Sequence, residues 1–206
     1  MGPALLVAAA VALALPATAQ GQASASGQYG SLTLAVRGDV VSGVFSEGRM
    51  GNGTDAAPQF TCWFLLRGKL QNGRGVVETW YPGEEPIAGN ISFEGAQVSL
   101  TLREDHGGCM MTTGSMVREP YRALLNRSGE GWLDAALVRA DRAALRPSAG
   151  APAPRTPYLV EGDPVAVLER QGAWVRVLYG TGTRPVTGWL AAADLVLAEE
   201  RALQRR

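Results

Sequence analysis

Hydrophobic and polar residues alternate along much of this 206-residue chain with the period of two that a half-buried β-strand requires. The alternation is clearest at 31–36 and 97–102, where every second residue is Leu or Val. Further strands are predicted at 40–45, 60–66, 76–81 and 91–93, set off by Gly38-Asp39, Asn72-Gly73 and Gly89-Asn90. Short strands at roughly ten-residue spacing predict an all-β fold for 27–132, an antiparallel barrel or a sandwich.

The segment Leu133–Arg146 fits two structures equally well. Its alanines and leucines have high helix propensity and favour a short amphipathic helix. The prolines of 147–157 follow directly and favour an extended approach to a further β unit. The sequence leaves both interpretations open.

The C-terminal third contains a strong motif. Tyr158-Leu159-Val160-Glu161-Gly162-Asp163 leads into 165–168, then come Trp174 to Tyr179, Val186 to Leu190 and Asp194-Leu195. This pattern resembles the bacterial SH3-like domain, although Arg142–Pro147 stands where that family has an Asn-Val-Arg-x-Gly-Pro motif. The resemblance implies a small SH3-like β-barrel over 133–197, including the Pro-rich loop 147–157, with 198–206 as a C-terminal tail.

The first residues of the chain have the features of an export signal. An apolar run of about a dozen residues ends at Pro16, and Ala17-Thr18-Ala19 matches a cleavage site, so 1–19 is predicted to be a signal peptide. Residues 20–26 are then a flexible mature N-terminus. We expect a periplasmic or secreted protein with no membrane insertion after cleavage.

Export determines how the two cysteines are interpreted. Cys62 and Cys109 are the only cysteines in the chain, and an oxidising compartment favours a disulfide between them. Such a bridge contributes roughly 3–4 kcal/mol by restricting the unfolded chain.

Charge and composition exclude several classes of function. The 19 basic residues balance 19 acidic ones, so the formal net charge is zero. A nucleic-acid partner is disfavoured because it requires a basic excess. No cofactor motif is present, and Glu104, Asp105, His106 and Cys109 lack the spacing of a metal site.

One catalytic arrangement is an alternative to a purely binding function. Cell-wall cysteine endopeptidases often carry SH3-like domains, and Cys62 with His106 would supply the nucleophile and base. However, Cys62 lies in a predicted strand and lacks the Ser-Gly that follows the nucleophile in that family. His106 is predicted to be an exposed turn residue, so the protein is not expected to be an enzyme.

Aromatic side chains are the better candidates for binding. They are Trp80, Tyr81, Tyr158, Trp174, Tyr179 and Trp189. Core packing is the competing role for most of them, with Trp80 inside and Tyr81 an isolated outer ring. The expected function is a non-catalytic envelope protein that binds cell-wall peptide or an envelope protein. A lysozyme-inhibitor-like protein, which the N-terminal unit resembles in size and β content, and a purely structural module are alternatives.

Overall fold

The computed structural model describes residues 25–49, 59–180 and 184–201. The fold is nearly all β, with 56% of the described residues in strands and 6% in helices. Within the described residues, no helix has the length and apolar character needed to span a membrane. The predicted signal peptide lies outside this part of the chain, and so do 20–24 of the predicted flexible N-terminus.

Eight antiparallel strands form a closed barrel in which each strand pairs with its neighbours in sequence. The strands are β1 Gly27–Tyr29, β2 Leu32–Arg37, β3 Val40–Arg49, β4 Phe60–Gln71, β5 Arg74–Trp80, β6 Ile87–Glu94, β7 Gln97–Leu102 and β8 Tyr121–Ser128. Pairing of β1 with β8 closes the ring and leaves no free sheet edge. The predicted all-β fold class is therefore confirmed, with the barrel as its first unit.

The alternation of residues along each strand fills the barrel with side chains. Large inward residues come from most of the strands: Tyr29, Leu34, Phe45, Phe64, Leu66, Ile91, Phe93 and Leu100. An eight-stranded barrel is just wide enough for side chains to fill its interior, so this core stabilises the barrel. Phe45 and Phe64 stack with ring centroids 5.0 Å apart, and Tyr121 meets Phe45 edge-on.

The predicted disulfide is confirmed between Cys62 on β4 and Cys109. Cys109 begins the short helix α1 (Cys109–Thr112), which lies in the connection between β7 and β8. Both cysteines are buried against the barrel core. The bridge therefore fixes the β7–β8 connection to β4.

The rest of the chain forms a second set of strands with its own core. They are β9 Asp134–Val138, β10 Ala143–Ala144, β11 Tyr158–Leu159, β12 Pro164–Gln171, β13 Trp174–Tyr179, β14 Val186–Ala191 and β15 Leu195–Leu197. The larger sheet has the order β14-β13-β12-β9-β15, and β10 pairs with β11. The segment 133–146 is thus extended, and the helical alternative for it is wrong.

Strand β9 joins the two units because it is buried on both faces. Ala136 and Val138 point into the core of the C-terminal sheet. Ala135 and Leu137 face the opposite way and pack with Leu65 on the outside of the barrel. A strand with two buried faces has no polar side, which explains its nearly continuous apolar sequence.

The residues that flank these units are also held in place. The hydroxyl of Tyr29 donates to the carbonyl oxygen of Ala25, and the amide of Val36 donates to Ser26 Oγ. At the other end Ala198 is buried in the interface, and Arg201 pairs with Glu78 at 3.1 Å. The described part of the predicted tail therefore packs on the barrel.

Candidate functional site

A cleft of about 420 Å³ lies where one end of the barrel meets the C-terminal sheet. The barrel contributes Ser46, Glu47 and Gly48 from β3, with Thr61 and Trp63 from β4. The opposite wall is the turn Glu161–Asp163 immediately before β12. Segments separated by about a hundred residues in sequence therefore form one site.

Trp63 enters the cleft because of its position in the alternation of β4. Cys62 and Phe64 point into the barrel, so the residue between them points outward. The half-buried indole packs edge-on against Tyr81, with ring centroids 5.1 Å apart. This contact fixes the orientation of the largest apolar surface in the cleft.

The turn of the opposite wall is held by hydrogen bonds to Asp163. Its carboxylate accepts from the backbone N–H of Val160 at 2.8 Å and from the hydroxyl of Tyr179 at 3.1 Å. Gly162 has φ +84°, and a side chain there would lie 3.6 Å from the indole nitrogen of Trp63. Glycine is favoured at this position because other residues rarely adopt that backbone conformation.

The lining of the cleft is acidic. Glu47, Glu161 and Asp163 contribute carboxylates, and none of the described lining residues is basic. Glu47 is oriented by the hydroxyl of Ser31, which donates to its Oε2 at 2.8 Å. Carboxylates beside an indole ring attract a cationic group by charge and by the ring quadrupole. The cleft is therefore suited to a ligand that carries an ammonium or guanidinium group.

The sequence predicts that His106 is an exposed turn residue, and this prediction is wrong. Its side chain is only 4% exposed and stacks on Phe64 at a centroid distance of 4.5 Å. The imidazole Nε2 lies 2.8 Å from Thr79 Oγ1, and that hydroxyl also contacts the carbonyl of Ile87. Burial lowers the pKa of His106 to about 4, against a smaller opposing effect of Asp105.

The alternative catalytic pair of Cys62 and His106 lacks its nucleophile in this structure. The Cys62 sulfur is bonded to Cys109, and the chain contains no other cysteine. A thiolate is the attacking species in cysteine catalysis. This arrangement therefore offers no nucleophilic sulfur while the disulfide is intact.

Three of the four candidate metal ligands, Asp105, His106 and Cys109, have other partners. Asp105 accepts hydrogen bonds from Ser115 Oγ at 2.6 Å and from the amide of Met116 at 2.8 Å. Cys109 is in the disulfide, and His106 contacts Thr79. Across the described residues, no group of three His, Cys, Asp or Glu side chains could hold a metal ion.

The aromatic candidates of the barrel occupy two different positions. Trp80 is 5% exposed and is buried in the interface with the C-terminal sheet. Tyr81 is half-buried, packs on the barrel core and donates its hydroxyl to the carbonyl of Gly107 at 2.6 Å. Tyr81 reaches the cleft only through its contact with Trp63. Burial raises the pKa of Tyr81.

The aromatic candidates of the C-terminal sheet are dispersed. Tyr158 is exposed and carries the guanidinium of Arg142 over its ring at 3.7 Å, and Trp174 is half-buried under Arg146. Trp189 is buried, and Tyr179 supports the acidic turn through Asp163. These four rings do not form one surface with the cleft lining, which contains none of them.

The residues of the cleft were missed by reasoning from sequence alone. Trp63 carried one usable signal, since its alternation with Cys62 and Phe64 placed it on the outer face of β4. Glu47 and Glu161 carried none, because each is an ordinary acidic residue near a strand end. Only the packing of the two units brings them to the same cleft.

The fold and site define a closed eight-stranded antiparallel barrel that shares an acidic cleft with a five-stranded antiparallel sheet. Comparison of the chain with protein-family models, curated proteins and solved structures finds no match.

Proposed function

We propose that this chain is an exported, non-catalytic binding protein of the bacterial cell envelope. The ligand sits in the cleft between the barrel and the C-terminal unit and presents a cationic group. The observation that carries this proposal is the cleft itself, with Trp63 on one wall and the Glu161–Asp163 turn on the other. A cell-wall peptide with a free amine has this chemistry, as does a basic segment of an envelope protein.

The envelope location rests on three features of the chain. The segment 1–19 has the apolar run and the cleavage pattern of a signal peptide. The Cys62–Cys109 disulfide is compatible with an oxidising compartment. The C-terminal motif resembles the bacterial SH3-like domain, and the antiparallel sheet of β9 and β12 to β15 is compatible with such a domain.

Binding is favoured over catalysis by the chemistry of the cleft. Its carboxylates lie beside Trp63, Ser46 and Thr61, and none of the lining residues is a cysteine or histidine. An acidic pocket with one aromatic wall recognises a ligand by charge and by shape. A cysteine endopeptidase would require reduction of Cys62, which lies in the buried disulfide.

The test is calorimetric binding of a cell-wall stem peptide with a free side-chain amine to the full chain. We expect Trp63→Ala and Glu161→Gln each to weaken binding by about tenfold, because each removes a cation contact. Glu169→Gln is the matched charge control, since this residue is exposed, pairs with Arg176 at 3.7 Å and lies outside the cleft lining. Tyr158→Ala tests the aromatic surface outside the cleft and is expected to bind normally.

Two results would contradict the proposal. Equal affinity of wild type, Trp63→Ala and Glu161→Gln would show that the peptide does not bind in the cleft. If the wild-type protein binds none of the stem peptide, isolated sacculi and lysozyme, the proposed binding function is wrong and a structural module is favoured.

A further inference from the structure

The outer face of the barrel away from the C-terminal sheet has a row of polar side chains in register across five strands. Backbone pairing aligns Gln71 with Arg74, Arg74 with Ser92, Ser92 with Ser99, and Ser99 with Arg122. All five residues alternate with inward core positions, so they point away from the barrel interior.

The lengths of these side chains make the face concave. Ser92 and Ser99 are short and lie in the middle of the row, with longer side chains on both sides. Two adjoining cavities, of about 130 and 440 Å³, share these serines. The larger one extends along the next register row, over Val76, Asn90 and Thr101. We call this surface, formed by the two rows, the outer trough.

The groups along the outer trough suit a polyhydroxylated ligand. The hydroxyls of Ser92, Ser99 and Thr101 and the amide of Asn90 can each both donate and accept hydrogen bonds. Hydroxyl groups of a sugar have the same dual capacity. Val76 is 45% exposed and supplies an apolar patch beside them, against which the C–H face of a sugar ring can pack.

The charges at the two sides of the trough select among sugars. Arg122 makes no ion pair within the described part of the chain and is exposed beside Ser99. Arg74 pairs with Glu94 at 3.1 Å, and both side chains are more than half exposed. Exposed pairs contribute little, so a ligand carboxylate can replace Glu94. Arg74 lies on β5 and Arg122 on β8, and these two strands are separated by three inter-strand spacings, or about 14 Å.

We propose that the outer trough is a binding site for an acidic oligosaccharide. The sugar chain crosses strands β5 to β8, with its hydroxyls on Ser92, Ser99 and Asn90. A ligand carboxylate pairs with Arg122. The site lies outside the acidic cleft and takes ligands of the opposite charge, so it goes beyond the function proposed above.

The experiment measures binding of tetragalacturonate to the full chain, with cellotetraose as the neutral probe. Wild type is expected to bind the acidic probe more tightly, and added salt is expected to weaken that preference. Arg122→Gln is expected to lose about tenfold in affinity for tetragalacturonate, since it removes a charged hydrogen-bond donor. Arg184→Gln, at another exposed arginine, is the control and is expected to be unchanged.

Two further variants test the geometry and the competing carboxylate. Ser99→Val fills the trough with a residue that suits a strand and is expected to abolish binding of both probes. Thr187→Val is its control on the exposed face of β14. Glu94→Gln releases Arg74 and is expected to strengthen tetragalacturonate binding roughly two- to fivefold.

Two results with the wild-type protein would overturn the proposal. They are undetectable binding of tetragalacturonate and equal affinity for the acidic and neutral probes. Unchanged binding in both Arg122→Gln and Ser99→Val would place the sugar elsewhere on the molecule.

Discussion

His106 is the side chain whose protonation is most affected by the fold. Its ring lies among Phe64, Tyr81 and Thr79, where a positive charge loses most of its hydration. The Thr79 hydroxyl has a single proton, so both of its contacts are satisfied when it donates to Ile87 and accepts from the imidazole Nε2–H. Because burial disfavours the charged ring, the folded protein favours the neutral imidazole.

Folding stability is expected to fall as the pH drops from about 6.5 to about 4. The pKa of His106 is about 4 in the folded protein, so over this range the unfolded chain gains a proton that the folded protein excludes. The loss reaches about 3 kcal/mol at the acid end. It is measured as the free energy of unfolding in urea at pH 7.5 and at pH 4.5.

His106→Phe isolates this effect because it keeps an aromatic ring against Phe64 and removes the titrating group. The variant is expected to show a smaller fall in unfolding free energy across the same pH range. An identical pH dependence in the variant and the wild type would contradict the prediction.

Asp134 affects stability in the opposite direction. Burial raises its pKa, so the folded protein binds a proton there more readily than the unfolded chain does as the pH falls.

The expectation that His106 is exposed failed for a local reason. Its neighbours from Glu104 to Gly108 are polar or glycine, which is typical of a surface turn. Its burial comes from Phe64 and Thr79, which belong to β4 and β5 and are distant in sequence. No pattern around residue 106 records those contacts.

At the level of strands, period-two alternation located most of the barrel because each strand directs every second side chain into the barrel core. It missed β8, where Leu124 is 62% exposed and points outward between Arg122 and Asn126. An apolar residue on the solvent side breaks the pattern by which a strand is recognised. The inward residues of β8 are only partly buried, which weakens the signal further.

The connection between β7 and β8 is expected to depend on the disulfide. Replacing both cysteines (Cys62→Ser with Cys109→Ser) is expected to lower the free energy of unfolding by about 4 kcal/mol, because a long loop is released in the unfolded chain. The measurement is urea denaturation of the variant and the wild type. Ser115→Ala, in the same connection, is the control and is expected to have a smaller effect.

Thiol labelling gives an independent check of the same bridge. The native protein is expected to react with no alkylating reagent unless it is first reduced, because both sulfurs are bonded. Rapid labelling of Cys62 in the unreduced protein would contradict the disulfide and reopen the cysteine endopeptidase alternative.

At the scale of the whole molecule, the barrel and the C-terminal sheet form one structure with a continuous interface. Apolar residues of β9 meet Val44, Leu65 and Trp80, and Ala35 packs with Trp132 and Ala166. The buried Asp134 pairs with Arg170 at 3.3 Å and accepts from the amide of Glu199 at 3.1 Å.

The end of the described chain strengthens that interface. Arg67 donates to the carbonyl oxygens of Glu199 and Arg201, and Arg201 lies over the ring of Trp80. These contacts attach residues from the end of the C-terminal unit to the outer face of β4 and β5. The geometry of the cleft therefore depends on contacts made along the whole interface.

The two units are expected to unfold together. Leu137→Ala removes apolar contacts on the barrel side of β9 and is expected to lower the free energy of unfolding by about 2–5 kcal/mol. Hydrogen exchange of β6 and β12 amides, which report the barrel and the sheet, is expected to show an equal loss. Exchange that accelerates in β12 alone would show that the units unfold separately.

Patterns in the sequence are enough to predict the all-β class, the positions of most strands and the disulfide. The first two follow from local alternation, and the disulfide follows from the predicted export of a chain with only two cysteines. Tertiary structure decided the burial of His106, both faces of β9 and the meeting of Trp63 with the Glu161–Asp163 turn. The physical reason is that closure of the barrel and docking of the sheet bring together side chains from distant segments. The local pattern around each residue does not record which distant segment it will meet.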